Sequence, residues 1–242
     1  MGLSVNKLPK GRVDSVITRL KGLGIALALV GLVFVAAGAF AYLRVQDGTK
    51  ALNAFSAAQN VTLSYNDAGK LVDRGETKEA EAIMSLLKND WGYPVDTAEL
   101  NPKDPVVNTA SEYMYQMATI AYHTLHSTQT IVLAKDVEYN GKTYAAGEYK
   151  FDVNGRYWTA FDRLNPIEGP AREKAWSGTA HALIAELGVG TTTASALQLG
   201  LALAGLVAGI GGTFLLTGVG LVWAARAEEA LVRAEKRATV IA

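Results

Sequence analysis

Two stretches of the chain contain no Asp, Glu, Lys, Arg or His: Gly22 to Leu43 and Gly188 to Ala225. An α-helix needs about 20 apolar residues to cross the hydrocarbon core of a bilayer, so each stretch is long enough to span once. The spans proper are expected at residues 22–43 and 196–223, with Gly188 to Ser195 as a glycine- and threonine-rich hinge before the second.

Between them the periodicity changes several times. Residues 76–88 keep a helical spacing, with Ala80, Ile83, Met84 and Leu87 on one face and early glutamates that suit the N-terminal dipole. Residues 106–126 form the strongest helical pattern of this region, with Val107, Ala110, Met114, Met117, Ala121 and Leu125 along one stripe. Residues 91–105 carry three prolines and read as a loop with a solvated acidic rim. From Thr130 onward, β-branched and aromatic runs at 131–139, 142–153 and 156–161 are separated by Asn140-Gly141 and Asn154-Gly155. Asn-Gly supplies the positive φ angles of a two-residue hairpin turn, so the spacing predicts a three-stranded meander. A last helix is expected over 171–187, ended by Gly188 and Gly190. The fold class that follows is an α+β membrane protein, with two transmembrane helices flanking an outer domain of helices and a small antiparallel β-meander.

Charge orients this layout. The chain has no net charge, which argues against nucleic acid as a partner. Residues 1–21 nevertheless hold five basic residues against one acidic residue, and basic flanks stay on the cytoplasmic side of a membrane. The expected order is therefore a basic cytoplasmic N-terminus (1–21), a first span (22–43), an extracytoplasmic domain (44–195), a second span (196–223) and a charged cytoplasmic helical tail (224–242). Ala39-Phe40-Ala41 has the small-x-small form of a signal-peptidase site. The uncharged run before it exceeds a signal h-region in length, so an uncleaved anchor is the expectation, in the plasma membrane. The chain contains no cysteine, so an exported domain would hold together without disulfides.

The spans are rich in small residues at helical spacings. Gly24, Gly31 and Gly38 recur every seven residues on the first. Gly200, Ala204, Ala208 and Gly212 form one ridge on the second, and Gly205 and Gly209 begin another in a GxxxG pattern. Small residues let helix backbones approach closely in lipid, where packing drives association. These positions are the candidate helix-packing residues.

Candidate chemistry is sparse. His123 and His126 lie three apart on a predicted helix, and His181 or a carboxylate could complete a set for copper or zinc. The plainer reading is a pair of structural histidines near a helix end, where the charged form complements the dipole. There is no G-x-S-x-G elbow and no phosphate-binding G-x-x-x-x-G-K-[ST] loop. Neither span holds the ionisable groups of an ion path. No catalytic and no cofactor-binding residue is assigned.

Leu20-Lys21-Gly22-Leu23-Gly24-Ile25-Ala26, Asn60-Val61-Thr62-Leu63, Asn66-Asp67-Ala68 and the Ala98–Pro105 loop, with the Gly/Ala-rich second span, carry a resemblance. The chain resembles a group of actinobacterial two-span membrane proteins of unestablished function that often carry the label aromatic ring-opening dioxygenase. The resemblance implies the two-span topology; residues 127–176 read as an insertion relative to that group. The resulting expectation is a non-catalytic accessory subunit that docks its outer domain and spans on a larger membrane complex, with lipid and other subunits or a second copy as partners. The alternative is an extracytoplasmic ligand- or metal-binding protein.

Overall fold

The computed structural model describes residues 10–241; residues 1–9 of the basic N-terminus and Ala242 lie outside the described residues. It combines long helices with small antiparallel sheets, and two of its helices are long and apolar enough to cross a membrane. The chain divides into two compact units. One is helical and holds the chain up to Gly48 and from Leu197 on; the other, Thr49–Ala196, mixes helices and strands.

The helical unit is built from parts of α1 (Lys10–Gln59) and α5 (Gly178–Ile241), each an unbroken helix. α1 runs unbroken through Gly48. A Cβ there would stand 2.7 Å from Leu197 Cδ2, so the missing side chain is used for close approach. Large apolar side chains point outward around both helices: Leu23, Leu29, Val33, Phe40, Leu206, Leu216 and Trp223 are all exposed. A helix apolar all round suits a lipid environment and not an aqueous one.

In the mixed unit the chain passes through β1 (Ser64–Tyr65), β2 (Leu71–Val72), α2 (Thr77–Ser85), a π-helical turn (Leu86–Asp90) and α3 (Ala110–Leu125). Strands β3 (Thr128–Leu133), β4 (Val137–Tyr139), β5 (Lys142–Tyr144) and β6 (Gly147–Asp152) and helix α4 (Glu168–Ala175) precede the start of α5. Helix α3 is the central element. Thr109 Oγ1 accepts from the Glu112 amide at 3.4 Å, and Glu112 Oε2 accepts from the Thr109 and Asn108 amides at 3.0 Å, a reciprocal capping box that satisfies the first turn. The loop expected to be an acidic rim assists: Glu99 Oε2 accepts from the Ser111 amide at 2.8 Å. A core of Leu63, Ile83, Leu87, Val107, Tyr113, Tyr115, Ala118 and Leu187 surrounds the helix, and Ile83 and Leu87 are fully buried.

Three expectations change. The meander is a bent two-armed hairpin. β4 pairs with β5 across Asn140-Gly141, whose φ angles are +49° and +73°, and β3 pairs with β6 from Thr128↔Asp152 to Leu133↔Gly147. Asn154-Gly155 does turn the chain, at φ +48° and +74°, but no third strand pairs after it. The turn is tied back instead to the end of α3, where Gly155 N–H donates to Leu125 O, and just before it Val153 N–H donates to Ser127 O. The aromatic residues that resembled a strand pack elsewhere, Tyr157 stacked on Trp176 and Trp158 beneath the Arg172 guanidinium at 3.9 Å.

The helix expected over 171–187 is interrupted at Trp176-Ser177, where the Ser177 hydroxyl accepts from the Ala180 amide and starts α5. The hinge at Gly188–Ser195 does not exist; α5 continues through it. Here the glycines make room for neighbours. A Cβ on Gly190 would lie 2.6 Å from the Tyr113 ring and one on Gly188 3.4 Å from Met117 Cε. Thr191 and Thr192 donate their hydroxyls back to the Leu187 and Gly188 carbonyls, so they sit within the helix.

Candidate functional site

The mixed unit contains an apolar cavity of about 610 Å³. Its walls come mainly from three helices that the sequence pattern alone did not bring together, with Val61 and Val107 completing them. The end of α1 supplies Leu52, Phe55, Ser56 and Gln59; α3 supplies Tyr113, Gln116 and Ile120; the start of α5 supplies Leu183 to Thr193. In sequence, the α1 segment follows the first apolar run after eight residues, and the α5 segment overlaps the start of the second. The volume lies within the usual range for small-molecule sites, which are mostly apolar with a few placed polar groups.

The placed polar groups are specific. Ser56 and Tyr113 are both buried, and their hydroxyl oxygens are 2.7 Å apart. Ser56 Oγ donates to the Leu52 carbonyl at 3.0 Å. A hydroxyl has one proton, so Tyr113 is the donor in the pair. Gly190 lies against the Tyr113 ring, where a Cβ would have no room. Glu186 is the charged residue of the lining; it is solvent-exposed and makes no ion pair among the described residues.

A second, more polar groove of about 530 Å³ lies beside α3. His123 Nε2 is 2.8 Å from Asp73 Oδ2 there, and Arg74, Gln116 and Thr124 are among its walls. An Asp–His pair becomes a nucleophile-activating device only with a hydroxyl or thiol on the imidazole. The hydroxyls lining this groove donate to carbonyls: Thr119 to Tyr115, Thr124 to Ile120 and Ser127 to Thr124. Behind the groove, burial pushes the Tyr115 hydroxyl well above its ordinary pKa, with the Asp73 and Tyr65 charges adding to the rise. Burial, then the Glu112 carboxylate, raises Tyr65 to about 12. Both phenols are held neutral.

The other predicted histidines have separate surroundings. His126 Nδ1 lies 2.8 Å from the Tyr122 carbonyl, with its ring against Tyr122. His181 Nδ1 lies 3.1 Å from the Ser177 carbonyl, with its ring edge-on to Trp158. Among the described residues, no three His, Asp or Glu side chains are grouped so as to hold a metal ion. The copper or zinc set of His123, His126 and His181 is not assembled.

The candidate helix-packing residues divide into two groups. Within the helical unit α1 and α5 run antiparallel. A Cβ on Gly24 would stand 2.7 Å from Gly218 O, one on Gly31 2.4 Å from Leu215 N, and one on Gly38 2.7 Å from Ala208 N. Ala204, which a Cβ on Gly38 would also meet, is buried, and Gly200 faces Val45. In contrast, Gly205, Gly209 and Gly212 have nothing within 4 Å of a Cβ position. The seam on α5 therefore follows 204, 208, 211, 215 and 218, alternating steps of four and three that add to the seven-residue repeat of the α1 glycines. The four-residue ridges read from sequence drift off this face, which leaves out Gly211 and Gly218. Matching the heptad of the first span would have found them. Beyond the apolar part of the seam, Lys21 and Glu229 form an ion pair.

No protein-family model, curated protein or solved structure matches the chain.

Proposed function

We propose that this is a two-span protein of the plasma membrane, with both termini cytoplasmic and residues 44–195 outside, acting as a non-catalytic binding protein for an apolar ligand. The observation that carries this reading is the cavity formed by α1, α3 and α5: apolar walls, a buried hydroxyl pair and lining segments that continue in sequence into the two membrane-length runs. The outward-facing leucines, valines and phenylalanines of α1 and α5 support the membrane part. Photolabelling tests the reading. The full chain in liposomes is exposed to a diazirine-bearing alkyl probe, and the labelled peptides are mapped by mass spectrometry. Label on residues 52–61 and 183–193 is the expected result; label confined to the exposed faces of the two spans overturns it.

A second reading, an accessory subunit of a larger membrane complex or a homo-oligomer, is favoured by one observation. Gly24, Gly31 and Gly38 of the first span are occupied within the chain, whereas Gly205, Gly209 and Gly212 line an open strip of α5. Blue-native electrophoresis of gently solubilised membranes separates the readings. A single 25.7 kDa chain with its detergent counts against the subunit role.

A further inference from the structure

We propose that the cavity selects a single-chain amphiphile with an ammonium head. The inference rests on the binding role proposed above and concerns which ligand the site accepts. The volume of about 610 Å³ suits one alkyl chain and not the pair carried by a phospholipid. Leu52, Phe55, Ile120 and Leu183 supply the apolar wall.

Head-group choice follows from the polar atoms. The protons of Ser56 and Tyr113 are both committed, to the Leu52 carbonyl and to Ser56 respectively, so these oxygens offer only lone pairs to a ligand. Glu186 adds a carboxylate; Gln59, Gln116 and Thr193 also line the cavity but are neutral, and no Lys, Arg or His does, so the charge of the lining is that of Glu186. An ammonium group brings three donors and no acceptor, matching both features. A carboxylate head would meet like charge at Glu186 and no cation to offset it. The surrounding chain reinforces this sign: residues 44–187 carry 14 basic and 19 acidic residues.

Competition against the alkyl photolabel tests the proposal on the full chain in liposomes. Dodecylamine, dodecanol and dodecanoate are compared at equal membrane-bound concentration, reading label on the peptide that spans 183–193. The amine is expected to displace label about fivefold better than the alcohol, the scale of one partly exposed ion pair, and the carboxylate least well. Glu186→Gln is expected to bring the amine-to-alcohol ratio close to one, and Glu186→Lys to move preference toward dodecanoate. Dodecanoate competing as well as the amine, or an amine preference that survives Glu186→Gln, overturns the head-group assignment. Displacement by dodecanol without any amine preference also overturns it, while leaving the cavity reading standing. If none of the three displaces label, the cavity reading itself fails.

Discussion

The two units are packed by opposite means. In the helical unit the contacts are backbone against backbone, with Gly24, Gly31 and Gly38 of α1 meeting Ala204, Ala208, Gly211 and Gly218 of α5. Most of the large apolar side chains there are turned outward, Ile17 being a buried exception. In the mixed unit the interior holds the large side chains, Ile83, Leu87, Tyr113, Tyr115, Val153 and Trp176 among them. The contrast follows from the solvent for which each pattern is suited. In water, burying a large apolar side chain gains about 1.5–3 kcal/mol, so cores fill with Leu, Ile and aromatics. Between lipid-facing helices that gain disappears, and close van der Waals contact between smooth surfaces replaces it.

Leu87→Ala attacks the mixed unit where it depends most on side-chain volume. Leu87 is fully buried in the π-helical turn, and its truncation is expected to cost about 3 kcal/mol. Denaturant unfolding followed by tryptophan fluorescence measures this, since Trp91 and Trp176 pack in or against the core. The same leucine-to-alanine change at exposed Leu206 is expected to have little effect on helix pairing.

Gly31→Leu reverses the test. Its Cβ would fall 2.4–2.6 Å from the Leu215 and Gly211 backbone, so the helices must separate, at about 2 kcal/mol. Gly205→Leu, the same change on the open strip, is expected to stay within about 0.5 kcal/mol. Unfolding of the helix pair by SDS in mixed micelles separates the two variants. Equal losses would place the seam wrongly.

The smallest effect concerns Glu112, the buried carboxyl at the start of α3. Burial holds it above the ordinary carboxylate range, although the Asn108 and Thr109 contacts draw it down. A folded pKa above the unfolded one means that the folded state binds the proton more tightly. That contribution to stability is complete below the ordinary carboxylate pKa and is lost as the pH rises through the folded value. Glu112→Gln keeps an acceptor for the capping box, so it is expected to flatten this decline without breaking the helix. Thermal unfolding over a pH series reads the difference; an unchanged slope would place the proton elsewhere.

How far the sequence reached depends on the range of the interaction. Local rules located α2, α3 and the Asn140-Gly141 turn, because capping, apolar periodicity and positive φ act within a few residues. The same rules misread 156–161, where β-forming aromatics pack on Arg172 and Trp176, and 188–195, where glycines make room for Tyr113 and Met117. A glycine that permits a bend and one that permits a close neighbour are the same letter. The histidines illustrate the limit for chemistry: the i, i+3 spacing of His123 and His126 was legible, but Asp73, the partner of His123, lies 50 residues earlier in the chain.

By itself the sequence determined the two membrane-length apolar runs, their small-residue faces and the mixed α/β character of the segment between them. These properties come from composition and short-range period, which the chain carries whatever its final packing. Only the tertiary structure decided that α5 runs unbroken from Gly178, that its seam includes Gly211 and Gly218, and that Ser56, Tyr113 and Glu186 border one cavity. The seam and the cavity need residues more than fifty positions apart to meet, and which of them meet is settled by the packing of the whole core, not by any local rule.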